Sequence, residues 1–211
     1  MIKRFLQGIA FAGAFFAAGC VSLLPETSPA KPRYHIASAD LSSAPSTSFS
    51  WSLAVATPGT TRAYDTTKIA VSPNAGKIEY YAKAEWADRA PKLFQTALIQ
   101  TFEDSGRILN VGDRPALLLP NFVLQTDIRK LQIRVDGSKQ TPEVSIYARL
   151  TDGNGKVYAA KRFIGEEKPK SRSEDDVIAA FNIALTSVIK DIANWSFEQA
   201  ALTTPQEPAA S

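Results

Sequence analysis

Thr151-Asp152-Gly153-Asn154-Gly155-Lys156 is the stretch that decides the fold. Asp-Gly followed directly by Asn-Gly provides residues that tolerate positive φ, which a tight turn between antiparallel strands requires. Residues 144–150 (Val-Ser-Ile-Tyr-Ala-Arg-Leu) and 157–164 (Val-Tyr-Ala-Ala-Lys-Arg-Phe-Ile) flank it and read as the two strands of a hairpin.

Working outward, residues 116–135 read as extended chain, with 108–111 before them. Phe122, Leu124, Thr126 and Ile128 share one parity, and Val123, Gln125, Asp127 and Arg129 the other. Further on, Leu131, Ile133 and Val135 carry the apolar parity instead, so a bulge is expected near Arg129-Lys130. Residues 49–56 alternate, with Phe49, Trp51, Leu53 and Val55 on one face. Residues 68–71 and 77–82 flank the turn at 72–76 and read as a second hairpin, and residues 33–37 as a short first strand. One helix is expected to open at Asp88 as N-cap, accept Pro91 in its first turn, bury Leu93, Phe94, Ala97, Leu98 and Phe102, and stop at Gly106. A second opens at Ser173, with Glu174, Asp175 and Asp176 suiting the positive end of its dipole. It repeats Val177, Phe181, Ala184, Leu185, Val188, Ile192 and Trp195 at helical spacing and ends near Gln199. Two apolar stripes need one surface to cover, so the expected fold is α+β: a mainly antiparallel sheet with two amphipathic helices packed on one face, a two-layer sandwich over residues 33–199.

The amino terminus has its own logic. Lys3 and Arg4 precede an apolar run to Ala18, shorter than the roughly 20 residues of a membrane-spanning helix, so residues 1–19 read as a signal peptide. Cys20 is the only cysteine of the 211 residues. Ala17, Ala18 and Gly19 before it resemble the lipobox of bacterial lipoproteins, although Ala17 stands where leucine is usual. The resemblance implies cleavage between Gly19 and Cys20, diacylglycerol on the Cys20 sulfur and an acylated amino terminus, with palmitate among the chains. The alternative is an ordinary signal peptide cut elsewhere. Residues 20–32 then form the lipidated cysteine and a proline-rich tether reaching at most about 37 Å at about 3.1 Å per residue. Residues 200–211 read as a disordered tail. Losing Lys3 and Arg4 removes two of the 24 basic side chains and leaves the rest nearly balanced by 21 acidic ones, which argues against nucleic acid as a partner.

Reactive chemistry is sparse. If Cys20 is acylated, as the lipobox resemblance implies, no thiol remains, and the single histidine, His35, sits in the short first strand without a Gly-x-Ser-x-Gly elbow to serve. A zinc site of cysteine and histidine is excluded by count. Asp152 and Asn154 open like a calcium loop, yet no glutamate stands at the twelfth position, and the hairpin turn accounts for them. No glycine loop for phosphates is present. Glu166, Glu167 and the carboxylates at 174–176 have structural explanations. No catalytic residue, metal site or cofactor is expected beyond the Cys20 lipid. Two surfaces stand out. Arg129, Lys130 and Arg134, with Lys139, Lys161, Arg162, Lys168, Lys170 and Arg172, concentrate positive charge that either meets anionic headgroups or an acidic partner, or is offset by nearby acids. Residues 117–122, Leu-Leu-Leu-Pro-Asn-Phe, are apolar on both parities; they read as a buried strand rather than an exposed contact patch.

Arg62-Ala63-Tyr64-Asp65, Ile78-Glu79-Tyr80-Tyr81-Ala82 and Trp86-Ala87-Asp88 before the first helix resemble the ABC-type transport auxiliary lipoproteins, the PqiC-like lipoproteins of MCE-domain transport systems. Arg33-Tyr34-His35-Ile36 is similar to that family's opening strand. The resemblance covers about 33–197 and implies a non-enzymatic, periplasm-facing docking or adaptor subunit. Its implied partners are an MCE-domain substrate-binding protein, an ABC permease and an ATPase that move lipids or other hydrophobic molecules across the periplasm; homo-oligomerisation is left open. Val21 after Cys20 resembles the outer-membrane sorting pattern, with the inner membrane as the other option. The competing expectation is an outer-membrane assembly lipoprotein that partners a β-barrel in lipopolysaccharide export or secretion. A secreted hydrolase using His35 is a third.

Overall fold

The computed structural model describes residues 30–42 and 47–203. The expected signal segment with Gly19, the lipidated Cys20, most of the tether and the tail beyond Thr203 lie outside the described residues. The elements are β1 Arg33–Tyr34, β2 Phe49–Val55, β3 Lys68–Ser72, β4 Glu79–Trp86, α1 Ala90–Asp104, β5 Ile108–Asp113, β6 Phe122–Asp136, β7 Lys139–Thr151, β8 Val157–Glu166 and α2 Glu174–Thr203.

Strand β6 organises the sheet. One edge pairs antiparallel with β7 from Val123↔Thr151 to Asp136↔Lys139, and the register slips between Ile128 and Lys130, at the expected bulge. The other edge holds two strands in succession, both parallel: β2 at its start (Leu53↔Phe122) and β3 near its end (Ala70↔Gln132). Outside β2 lies β5, outside β3 lies β4, and β1 closes that edge beside β4. The sheet is therefore mixed, not mainly antiparallel: β1–β4, β2–β5, β2–β6 and β3–β6 all run parallel, while β3–β4, β6–β7 and β7–β8 run antiparallel. A parallel neighbour needs a crossover of a dozen or more residues. The β3–β4–α1 segment supplies that crossover between β2 and β5.

The β7–β8 turn forms as its residues dictate. Asp152 Oδ1 accepts the backbone N–H groups of Asn154 at 2.8 Å and Lys156 at 2.9 Å, and Gly155 sits at φ 91°. Its carboxylate is thus committed to the chain's own amides. Helix α1 starts one residue later than expected: Arg89 is the N-cap, and Asp88 Oδ1 accepts the Arg89 N–H instead. Pro91 is held in the first turn, and Gly106 at φ 60° lets the chain leave the helix. At α2, Ser173 Oγ accepts the Asp176 N–H at 3.3 Å. The helix runs on to Thr203, four residues past the expected stop at Gln199, so part of the expected tail is helical.

All seven predicted apolar positions of α2 are buried, as are the five of α1, and both stripes join one core with Leu53, Val55, Leu124, Ile146, Ala148 and Leu150. Helix α2 lies so close to β8 that a Cβ on Gly165 would meet the Ala184 carbonyl oxygen at 2.6 Å and Val188 Cγ2 at 2.8 Å. No helix among the described residues is long and apolar enough to cross a membrane.

Candidate functional site

Helix α2 is the ruler of the molecule. Its 30 residues span about 45 Å at about 1.5 Å per residue. At its start, the Tyr34 hydroxyl on β1 donates to Asp175 Oδ1 at 3.0 Å, so the tether enters the fold there. Near its other end, Phe197 packs on Phe49, Trp51 and Phe102, with ring centroids 5.6, 5.7 and 5.3 Å away, and Trp51 meets Phe122 edge-on. The guanidinium of Arg107 lies 4.0 Å from the Phe197 ring centroid. The molecule thus has a tether end and a far end, and they carry different surfaces.

At the far end, the loop between β5 and β6 overturns the expectation of core burial for residues 117–122. Leu118 and Leu119 are 88 % and 95 % exposed; Leu117 is half-buried, and only Phe122 enters the core. The reason is local. The Ala116 and Leu117 amides bond back to the Asp113 carbonyl, closing a turn, and Pro120 removes a donor. Asn121 Oδ1 then accepts the Ser52 amide at 2.8 Å and its hydroxyl at 3.0 Å, so β6 begins only after it. Held at both sides, the two leucines point outward. Leu109 on β5, Val157 and Tyr158 at the start of β8, and Leu202 in the last turn of α2 are also exposed at this end.

Between the ends, the structure places Arg129, Lys130 and Arg134 beside acids but, among the described residues, not Lys161 or Arg162. Lys130 Nζ lies 2.9 Å from Glu143 Oε1, Arg129 is 3.5 Å from Asp127, and Arg134 is 3.6 Å from Glu166 and 4.0 Å from Glu143. Lys161 Nζ rests 5.2 Å from the Phe163 ring centroid, and Arg162 is exposed on the edge strand opposite Tyr147. Gln132 joins the network, donating to Glu143 Oε2 at 3.0 Å while accepting the Tyr64 hydroxyl at 2.7 Å. Burial alone would raise the Glu143 carboxyl; the hydrogen bonds from Lys130 and Gln132, with the Lys130 and Arg134 charges, outweigh it and hold the group below its ordinary value. Burial, and then Glu143 itself, push the Tyr64 hydroxyl up.

The tether end gathers the remaining cations. A cleft of about 440 Å³ opens between the β6–β7 turn and the loop before α2, lined by Lys139, Lys168, Lys170 and Arg172 with Ser138, Gln140 and Thr141. Hydrogen bonds from Ser171 and Ser173, with Lys170 close by, hold the neighbouring Asp176 carboxyl below its ordinary value. Sequence alone put these four cations in one list with Arg129, Lys130 and Arg134. Only strand register separates the two groups, because it decides which carboxylates share a face.

His35 is exposed beside the tether. Among the described residues, no group of three or more His, Cys, Asp or Glu side chains is placed to hold a metal ion. The aromatic motif residues have packing roles: Tyr64 anchors its loop to Gln132, Asp65 pairs with Arg89, and Trp86 meets Phe181 edge-on at 5.3 Å.

The family model of the ABC-type transport auxiliary lipoprotein component matches residues 34–193, nearly the whole folded unit. The chain belongs to that family. By that description it is a lipoprotein component auxiliary to ABC-type transport. Its fold is similar to that of protein XCC0632 from Xanthomonas campestris, at TM-score 0.72 and 25 % identity over 82 % of this chain and 97 % of that one. A second solved structure, of an uncharacterized protein, shares the fold at TM-score 0.61 and 14 % identity, over 80 % of this chain and 97 % of that one. The sequence is 31 % identical over 148 residues to the uncharacterized protein bll6063 of Bradyrhizobium diazoefficiens; the match takes in 69 % of this auxiliary lipoprotein and 39 % of that relative's length.

Proposed function

We propose that this auxiliary lipoprotein is a non-enzymatic docking subunit of an MCE-associated ABC system that moves lipids or other hydrophobic molecules across the periplasm. Cys20 carries the acyl chains that hold it, at the outer membrane, and the far end receives the MCE-domain protein, which a permease and an ATPase serve from the other side. The observation that carries this reading is the separation of the tether end at Tyr34 from the outward Leu118-Leu119 at the opposite end. A subunit gripped from across the periplasm offers its partner the end away from its own anchor. Adjacent, fully exposed leucines favour a covering partner. Confinement by the anchor raises the local concentration of that surface without tight intrinsic affinity.

The test is a Cys20→Ala chain exported through an unlipidated signal. Loss of transport with the fold retained is the expected result, and full restoration of membrane integrity by the soluble chain contradicts the reading. Co-purification of the MCE-domain protein, permease and ATPase supports it; a β-barrel recovered in their place moves the assignment to outer-membrane assembly.

A further inference from the structure

We infer that the basic cleft at the tether end is a seat for the phosphodiester headgroups of anionic lipid in the anchoring membrane. Four cations line it, Lys139 from the start of β7 and Lys168, Lys170 and Arg172 from the loop before α2. Among the described residues none of the four makes an ion pair within 4.0 Å, whereas Arg129, Lys130 and Arg149 on the neighbouring sheet face each have one and Arg134 has two. Asp176 offsets part of the Lys170 charge but is already bonded by Ser171 and Ser173. Ser138 and Thr141 add hydroxyl donors to the lining. The cleft's size admits a headgroup and not a folded partner.

Position selects the membrane as the source of the phosphate. The Tyr34 hydroxyl bonds Asp175, three residues beyond Arg172, so the cleft lies at the end of the fold where the tether enters. A fully extended chain spans at most about 3.6 Å per residue, so the ten steps from Cys20 to Ala30 cannot carry Ala30 more than about 36 Å from an anchored cysteine. Each cation held near an anionic surface raises occupancy by about fivefold. The cleft therefore orients the domain on its membrane, with the basic end on the lipid and the leucine end facing away. This inference rests on the anchoring reading above for its geometry, and its test is built so that the two fail separately.

The acylated chain is reconstituted in nanodiscs of phosphatidylcholine, with and without phosphatidylglycerol, and backbone hydrogen exchange is followed by residue. The expected result is exchange about tenfold slower at residues 138–141 and 168–172 when phosphatidylglycerol is present, through the electrostatic contact alone. High salt and the pair Lys139→Glu with Lys170→Glu should each abolish it, while exchange in α1 and along β6 stays unchanged as the check on folding. Equal exchange in both discs, or protection that survives the charge reversal, overturns the inference. Inorganic phosphate added to phosphatidylcholine discs is the second arm: if it alone reproduces the protection, the cleft takes a free phosphoryl group and the membrane assignment is wrong. If the amino terminus proves unacylated, the same chain mixed with phosphatidylglycerol vesicles still decides the matter: sedimentation with them that is lost on charge reversal supports the cleft, and no sedimentation overturns it.

Discussion

The two ends of α2 are built on opposite principles. At the far end, the side chains behind the surface are large, buried and interlocked: Phe197, Trp51, Phe102 and Phe122 pack ring on ring beneath a loop pinned at Asp113 and Asn121. At the tether end, the surface is made of long cationic side chains on two loops around a cleft. The first surface is apolar and preformed, so covering it releases water and is insensitive to salt. The second acts through charge and fades as the ionic strength rises. On the proposed reading, one chain would hold a protein and a membrane surface at once without the two competing for the same chemistry.

The comparison breaks most severely if the far end loses its scaffold. Phe197→Ala removes a ring that is 2 % exposed and should cost about 3–5 kcal/mol in urea unfolding. Partner binding should fall with stability, because Trp51, which Phe197 packs on, neighbours the Ser52 that bonds Asn121 at the loop's end. Next in size is Gly165→Ala, which forces α2 off β8 at the Ala184 carbonyl and should cost about 1–3 kcal/mol, with both end surfaces left chemically intact. Glu143→Gln removes the charge facing Lys130 and Arg134 between the two ends and should cost about 1–2 kcal/mol. The same residue gives a pH dependence. Its folded-state carboxyl lies below the ordinary value of 4.5, so its contribution is complete above that pH and is lost as pH falls through the lower folded value. Stability measured downward from neutrality should decline below about pH 4.5 in the parent, and less steeply in Glu143→Gln. The smallest effect on folding sharpens the comparison most: Leu118→Ser with Leu119→Ser should change stability by no more than about 0.5 kcal/mol, since neither side chain touches the core, yet should abolish capture of the MCE-domain protein.

The Asp152–Gly155 turn, the bulge after Ile128 and the apolar stripe from Val177 to Trp195 were legible because each is written within a dozen residues. Parallel pairing was not: nothing near Leu53 announces that it will lie beside Phe122, and turn residues report only hairpins. Leu118 and Leu119 were misread for a related reason. Composition makes a run of three leucines look like core, and only the amide bonds to the Asp113 carbonyl and from Ser52 to Asn121 reveal a loop turned outward. The basic residues formed one list in the sequence and two groups in space, since pairing with Asp127, Glu143 and Glu166 depends on register across β6, β7 and β8.

The most direct test of a two-ended module is photocrosslinking in living cells from a reactive residue placed at Leu119 or at Ser138. The account predicts that Leu119 crosslinks to the MCE-domain protein, identified by mass spectrometry, and that Ser138 crosslinks to phospholipid. Capture of lipid from Leu119, or of the MCE-domain protein from Ser138, would contradict it.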